Sequence, residues 1–197
     1  MDPMFEKQVD RLARMRTLDA PASSVQRAVG RAVPAASRTK QILSGAWLGH
    51  PVHPILTDLV VGTWISAFLL DLLPTRSTRT AADRLIGAGC LAALPTAAAG
   101  LSDWAGLGGP ERRIGLVHGG GNVLALLLQT GSWVNRKRGR RVRGWVQSAA
   151  AMGIATVTAY LGGHLSFARG VGVRKGPSTG GPERVVREPR PDEIPRG

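Results

Sequence analysis

The chain holds four histidines, and they are its main chemical resource. His50 and His53 stand in Gly49-His50-Pro51-Val52-His53-Pro54, directly before the apolar run Ile55 to Leu73, while His118 and His164 lie far downstream. A proline after each of the first two disfavours helical backbone at the histidine, and Pro54 suits the first turn of the helix that follows. Two imidazoles are therefore expected at the mouth of a membrane-length helix. Imidazoles gathered in a helical bundle suit two chemistries. A pair from facing helices can be the axial ligands of a b-type haem, with apolar walls and small residues beside the macrocycle. Three or four can hold zinc, copper or iron, with Asp58 or Asp103 as a ligand or as the acceptor of an imidazole N–H. Residue types alone do not separate the two. His53, His118 and His164 are the first choice of ligands and His50 the alternate, and Arg169 could meet an anionic group such as a haem propionate.

The elements that would position these residues are apolar. Mean hydropathy is −0.01 because very apolar stretches are diluted by polar ends. Ile55 to Leu73, Leu85 to Leu101, Ile114 to Val134 and Trp145 to Leu165 each approach the roughly 17 to 25 residues needed to cross a bilayer. The reading is an all-α protein: a four-helix transmembrane bundle over 47–173, a basic N-terminal tail over 1–46 and a disordered C-terminal tail over 174–197, multi-pass in the cell membrane. Four crossings put both termini and the second loop on one face. His50 and His53 at the start of the first span, His118 near the start of the third, His164 near the end of the fourth and Asp103 at the end of the second all belong to that face. Asp58 lies about one turn deeper than His53 and is expected to face the bundle interior or water, because an ionisable group at membrane depth is costly without a partner.

Other features bound the reading. The formal charge of +13 resides in tails and loops, without the interleaved aromatics of a base-stacking surface, so flanking of membrane spans explains it better than nucleic acid. Cys90 is the only cysteine, which excludes an intrachain disulfide and leaves it as a small packing residue. Small residues fill the second span, suited to close helix approach, with Pro95 expected to bend it and Trp104 expected to anchor at the interface. Asn122 shares a helix face with His118, four residues on. Gly119-Gly120-Gly121 between them serves either a bulky ligand or tight packing. The N-terminal tail carries Met4, Phe5, Val9, Leu12, Ala13 and Met15 at loosely helical spacing, which fits amphipathic helices on anionic lipid or a poorly ordered tail.

The motifs Gly-His-Pro-Val-His-Pro before the first span, Gly-Leu-Ser-Asp-Trp after the second, Gly-Leu-Val-His in the third and Gly-Gly-His-Leu-Ser-Phe-Ala-Arg-Gly-Val-Gly-Val after the fourth resemble the bacterial membrane-protein family DUF2231 over Trp47 to Val173. The resemblance implies a four-helix membrane domain, one sometimes joined to a Rieske iron–sulfur domain. With Cys90 alone there is no Rieske ligand set here, so a redox partner would be a separate protein. The leading expectation is a haem- or metal-binding membrane protein, engaged in electron transfer. The alternative is a structural or assembly protein whose histidines form a hydrogen-bond cluster. A proton pathway is weaker, because the polar residues reach only part of the way across. No serine–base–acid constellation supports nucleophilic catalysis.

Overall fold

The computed structural model describes residues 3–73 and 75–172, so the expected tail over 174–197 lies outside the described residues. Among the described residues the chain is all helical, without a strand. Three short helices, α1 (Pro3–Arg14), α2 (Asp19–Ala32) and α3 (Arg38–Ser44), precede four long ones: α4 (Val52–Asp71), α5 (Arg76–Trp104), α6 (Gly109–Lys137) and α7 (Arg141–Gly163). A π-helical turn, His164–Ala168, follows α7.

Local chemistry sets the boundaries. Ser37 caps α3 by accepting from the Lys40 N–H, and Gly45 ends it in the left-handed region at φ 74°, which a side chain would strain. Thr75 caps α5 the same way, accepting from the Thr78 N–H at 3.2 Å. Pro110 sits in the first turn of α6, where a missing N–H costs nothing. Pro95 does not interrupt α5, which runs unbroken through it.

Helices α4 to α7 pack in sequence, α4 on α5, α5 on α6 and α6 on α7, and α4 also meets α7. The ring leaves α4 and α6 facing each other across the diagonal. The two hairpins, α4–α5 and α6–α7, form an internal repeat that the sequence hides. His53, Val60, Trp64, Ala67 and Asp71 of α4 correspond, 65 residues on, to His118, Ala125, Gln129, Ser132 and Arg136 of α6. Ala82, Ile86, Gly89, Thr96, Ala99 and Gly100 of α5 correspond to Gly144, Ser148, Ala151, Thr158, Leu161 and Gly162 of α7. From Val60 and Ala125 down to Ala67 and Ser132, and from Ala82 and Gly144 up to Ala99 and Leu161, both members of each pair are buried. Helices α4 and α6 run the same way, so the hairpins are parallel copies related by an axis along the bundle.

Polarity across the bundle is inverted relative to a water-soluble protein. Gln129, Ser132 and Ser148 are fully buried, while Leu59, Leu69, Leu91, Leu94, Leu127 and Val157 are each more than half exposed. Two helices, α4 and α5, are both long and apolar enough to cross a membrane. Four such spans were expected. Helices α6 and α7 fall short because their inward positions carry Gln129, Ser132, Arg136 and Ser148 where α4 and α5 carry Trp64, Ala67, Asp71 and Ile86.

The N-terminal helices fold onto the histidine end of the bundle. Val9 and Ala13 of α1 are buried against Ile114, Leu161 and Leu165, and Phe5 lies over Tyr160 with ring centroids 5.3 Å apart. The apolar stripe of α1 thus finds its partner in protein as well as in any lipid. Asp19 clamps Arg112 and Arg113 at 2.8 and 2.7 Å. Gln26 reaches the carbonyl oxygens of Trp104, Ala105 and Leu107 at and just past the end of α5.

Candidate functional site

Each hairpin holds one inward histidine in the same way. The His53 Nδ1–H on α4 donates to the Thr96 carbonyl of α5 at 2.9 Å, and the His118 Nδ1–H on α6 donates to the Thr158 carbonyl of α7 at 2.7 Å. A helical carbonyl points toward the residue four positions on, whose side chain would overhang it. Those residues are Gly100 and Gly162, and the imidazoles occupy the space: a Cβ would stand 2.7 Å from His53 Cε1 and 2.8 Å from His118 Cε1. A threonine followed four residues later by glycine is thus a socket for a histidine from the preceding helix.

The carbonyl fixes the tautomer. With its proton on Nδ1, each neutral imidazole presents an acceptor at Nε2. His118 Nε2 accepts from Asn122 Nδ2 at 3.0 Å, and Asn122 Oδ1 accepts from the Thr158 hydroxyl at 2.6 Å. Among the described residues no hydrogen bond engages His53 Nε2. The two imidazoles lie within electrostatic range of each other, and Asp103 lies within range of His53.

The other expected site residues are placed differently. His50 is exposed in the turn before α4. His164 begins the π-helical turn, where Nε2 accepts from Arg169 Nε at 3.3 Å and the buried Nδ1 has no partner among the described residues. Arg169 is itself committed to Glu111 at 3.1 Å and Asp10 at 3.8 Å, so it does not stand free to meet a propionate. Asp103 faces Lys40 at 3.5 Å, and the same ammonium binds the Ser102 carbonyl and hydroxyl. Asp58 is exposed between Ile55 and Leu59 on the outward face, the second of the two placements expected for it, bundle interior or water. It lies about 9 Å into its helix, shallow enough for its carboxylate to reach the interface. Among the described residues no group of three or more His, Cys, Asp or Glu could hold a metal ion. What the structure shows is one inward histidine in each hairpin, His53 and His118, each anchored to the next helix in the same way.

Three further expectations resolve in the same region. The glycine run divides: a Cβ on Gly121 would strike Thr158, whereas Gly119 and Gly120 have nothing within 4 Å. Tight helix packing explains the first and not the other two. Trp104 is no interface anchor: it is 7% exposed, lies on Gly115 and donates its indole N–H to the Arg112 carbonyl at 2.9 Å. Sequence reasoning also missed the polar end opposite the histidines. There Arg136, with a fully buried side chain, binds Asp71 at 2.5 and 2.7 Å and Asp83 at 3.4 Å, and Arg141 braces both acids. The repeat register was the available signal, since Asp71 and Arg136 are its equivalent positions.

The family model described as a predicted membrane protein, DUF2231, matches residues 49–175. The chain belongs to the DUF2231 family. The matched region contains both hairpins and all four histidines, and helices α1 to α3 lie outside it. The DUF2231 motifs thus map onto the histidine end: the two His-Pro steps ahead of α4, Ser102 and Asp103 at the end of α5, His118 in α6, and the turn after α7. No curated protein and no solved structure matches the chain.

Proposed function

We propose that this DUF2231 protein is a multi-pass membrane protein whose four long helices cross the bilayer, and that His53 and His118 form a bis-imidazole site for a b-type haem near one membrane surface. The spanning reading is supported by the inverted polarity of the bundle: leucine and valine side chains of all four helices face outward while glutamine, serine and an ion pair are enclosed.

The observation that carries the haem reading is the matched anchoring of two diagonal imidazoles by Nδ1–H bonds to Thr96 and Thr158. A hydrogen bond on the far nitrogen is the usual device that orients a ligating histidine and raises its basicity. Two donors suit axial ligation and fall short of a tetrahedral metal ion. His118 Nε2 becomes free for an iron once the Asn122 amide turns away, which also breaks its bond with the Thr158 hydroxyl. Haem held by two imidazoles cycles between ferric and ferrous iron, which fits one-electron transfer between a membrane donor and a separate soluble partner. Absorption spectroscopy of the detergent-purified protein is the test. A Soret band lost in both His53→Ala and His118→Ala supports the reading, and wild-type protein that neither carries nor takes up haem ends it.

A second reading is favoured by the bond from Asn122 to His118: the imidazoles staple each hairpin and bind nothing. It predicts that His118→Ala lowers thermal stability while no bound species changes.

A further inference from the structure

Two completely enclosed side chains in the middle of the bundle, Gln129 of α6 and Ser148 of α7, make no side-chain hydrogen bond among the described residues. Gln129 is unpartnered at both the nitrogen and the oxygen of its carboxamide, so turning the amide over changes nothing. Buried polar groups are normally paired, and an unpaired one is costly.

Local chemistry explains why Ser148 finds no partner in its own helix. A helical hydroxyl commonly donates to the carbonyl four residues back, as Thr96 does to Ala92, Thr130 to Leu126 and Thr156 to Met152. For Ser148 that carbonyl belongs to Gly144, and it already accepts from the Ser132 hydroxyl at 2.6 Å. The same bond sets the register. Helices α6 and α7 are antiparallel, since Ser132 meets Gly144 at one end and Gly121 meets Thr158 at the other. The turn before Ser132 and the turn after Gly144 therefore lie at one level, and they hold Gln129 and Ser148. In the first hairpin the equivalent positions carry Trp64 and Ile86, so the second hairpin has less side-chain volume at this level.

We propose that Gln129 and Ser148 hold buried water, which bridges the carboxamide to the hydroxyl inside the α6–α7 hairpin. The donor set selects the occupant. The amide offers N–H donors and a carbonyl acceptor and the hydroxyl can act as either, so the molecule they face must both donate and accept. A hard cation takes roughly six to eight oxygen ligands, far more than these side chains supply, and would face the amide N–H. An anion would face the amide oxygen, and Arg136, two turns along α6, is committed to Asp71. Water meets both demands with the few polar partners available. The site extends the polar column of Asp71, Arg136 and Ser132 toward the middle of the bundle. On its other side Ala125, one turn closer to the histidines, is buried in an apolar cluster with Val60 and Ala93. The water thus sits on the ion-pair side of that cluster. The proposal depends on neither haem nor the spanning of a bilayer.

Nuclear Overhauser spectroscopy of the full chain, labelled with 13C and 15N in deuterated detergent, tests this at the Gln129 side-chain amide. A cross-peak between its two protons and water is expected in the wild-type protein. A serine hydroxyl proton exchanging with solvent gives the same signal, so Ser148→Ala is the control. In that variant the carboxamide keeps a donor and an acceptor, enough to hold water, and the cross-peak should persist. Its loss in Ser148→Ala assigns the signal to the hydroxyl and overturns the proposal. A cross-peak from the Gln129 amide to the Ser148 β-protons with none to water shows a direct bond and also overturns it. Wild-type protein with neither cross-peak does the same, whatever the variant shows.

Discussion

Asp71 and Arg136 occupy equivalent positions in the two hairpins and meet there in a bidentate ion pair at 2.5 and 2.7 Å. The repeat has placed opposite charges at one pair of equivalent inward positions. Both side chains are almost wholly enclosed, at 4% and 0% exposure, and Ser132, one turn earlier on α6, accepts from Arg136 Nε at 3.1 Å.

Removing one partner should leave a charge without compensation in a water-poor interior, at a cost of about 3 to 5 kcal/mol. Arg136→Met is expected to lower the thermal midpoint in detergent sharply. Asp71→Leu combined with Arg136→Met should recover most of the loss, because neither desolvated charge remains. A double variant as unstable as the single one would refute this account.

The glycine sockets make a second prediction. Gly100→Ala and Gly162→Ala each place a methyl group under 3 Å from an imidazole carbon, so the ring must leave its carbonyl. A loss of about 1 to 3 kcal/mol is expected, with a change of tautomer seen in the nitrogen NMR shifts of His53 or His118. Gly153→Ala is the control: nothing lies within 4 Å of its Cβ, and better helix propensity should raise stability by up to about 1 kcal/mol.

Asn122 separates the two functional readings. With Asn122→Ala, His118 Nε2 loses its protein donor. On the haem reading the affinity for added haemin rises. On the staple reading the protein is only less stable, and its absorption spectrum after haemin addition matches that of a His118→Ala control.

The N-terminal helices supply a pH prediction. Hydrogen bonds from Arg113 and then Arg112 hold the Asp19 carboxyl far below the ordinary carboxylate range. A depressed carboxylate stabilises the folded form above its unfolded value of about 3.9, and the contribution is lost as pH falls further toward the folded value. Protection factors in α1 and α2, with the intrinsic pH dependence of amide exchange divided out, should therefore be constant between about pH 5 and 7 and fall below about 4. Asp19→Asn should show the fast exchange at every pH.

Much of the architecture was legible in the chain. The four apolar runs mark α4 to α7, although α5 begins at Arg76, well before Leu85, and the alternating direction of the helices puts Asp103, His53 and His118 at one end. The expected pairing of Asn122 with His118 follows from i to i+4 spacing alone. What the chain did not reveal was direction. Trp104 and Arg169 were read from composition and depth, but which way a helical side chain points depends on the rotation of the whole helix, and that is set by neighbours distant in sequence. Arg169 goes to Glu111 and Asp10 because α1 and the start of α6 bring acids to it.

The sequence by itself determined that long apolar helices joined by basic loops would form the body of the protein, since hydrophobic length and proline placement are local properties. Only the tertiary structure decided that two of those histidines are anchored as a matched pair. Sockets on Thr96 and Thr158 exist when two hairpins pack in the same register. The socket residues are alike in type, but the other equivalent positions share burial and not residue type, and burial is a property of the folded chain.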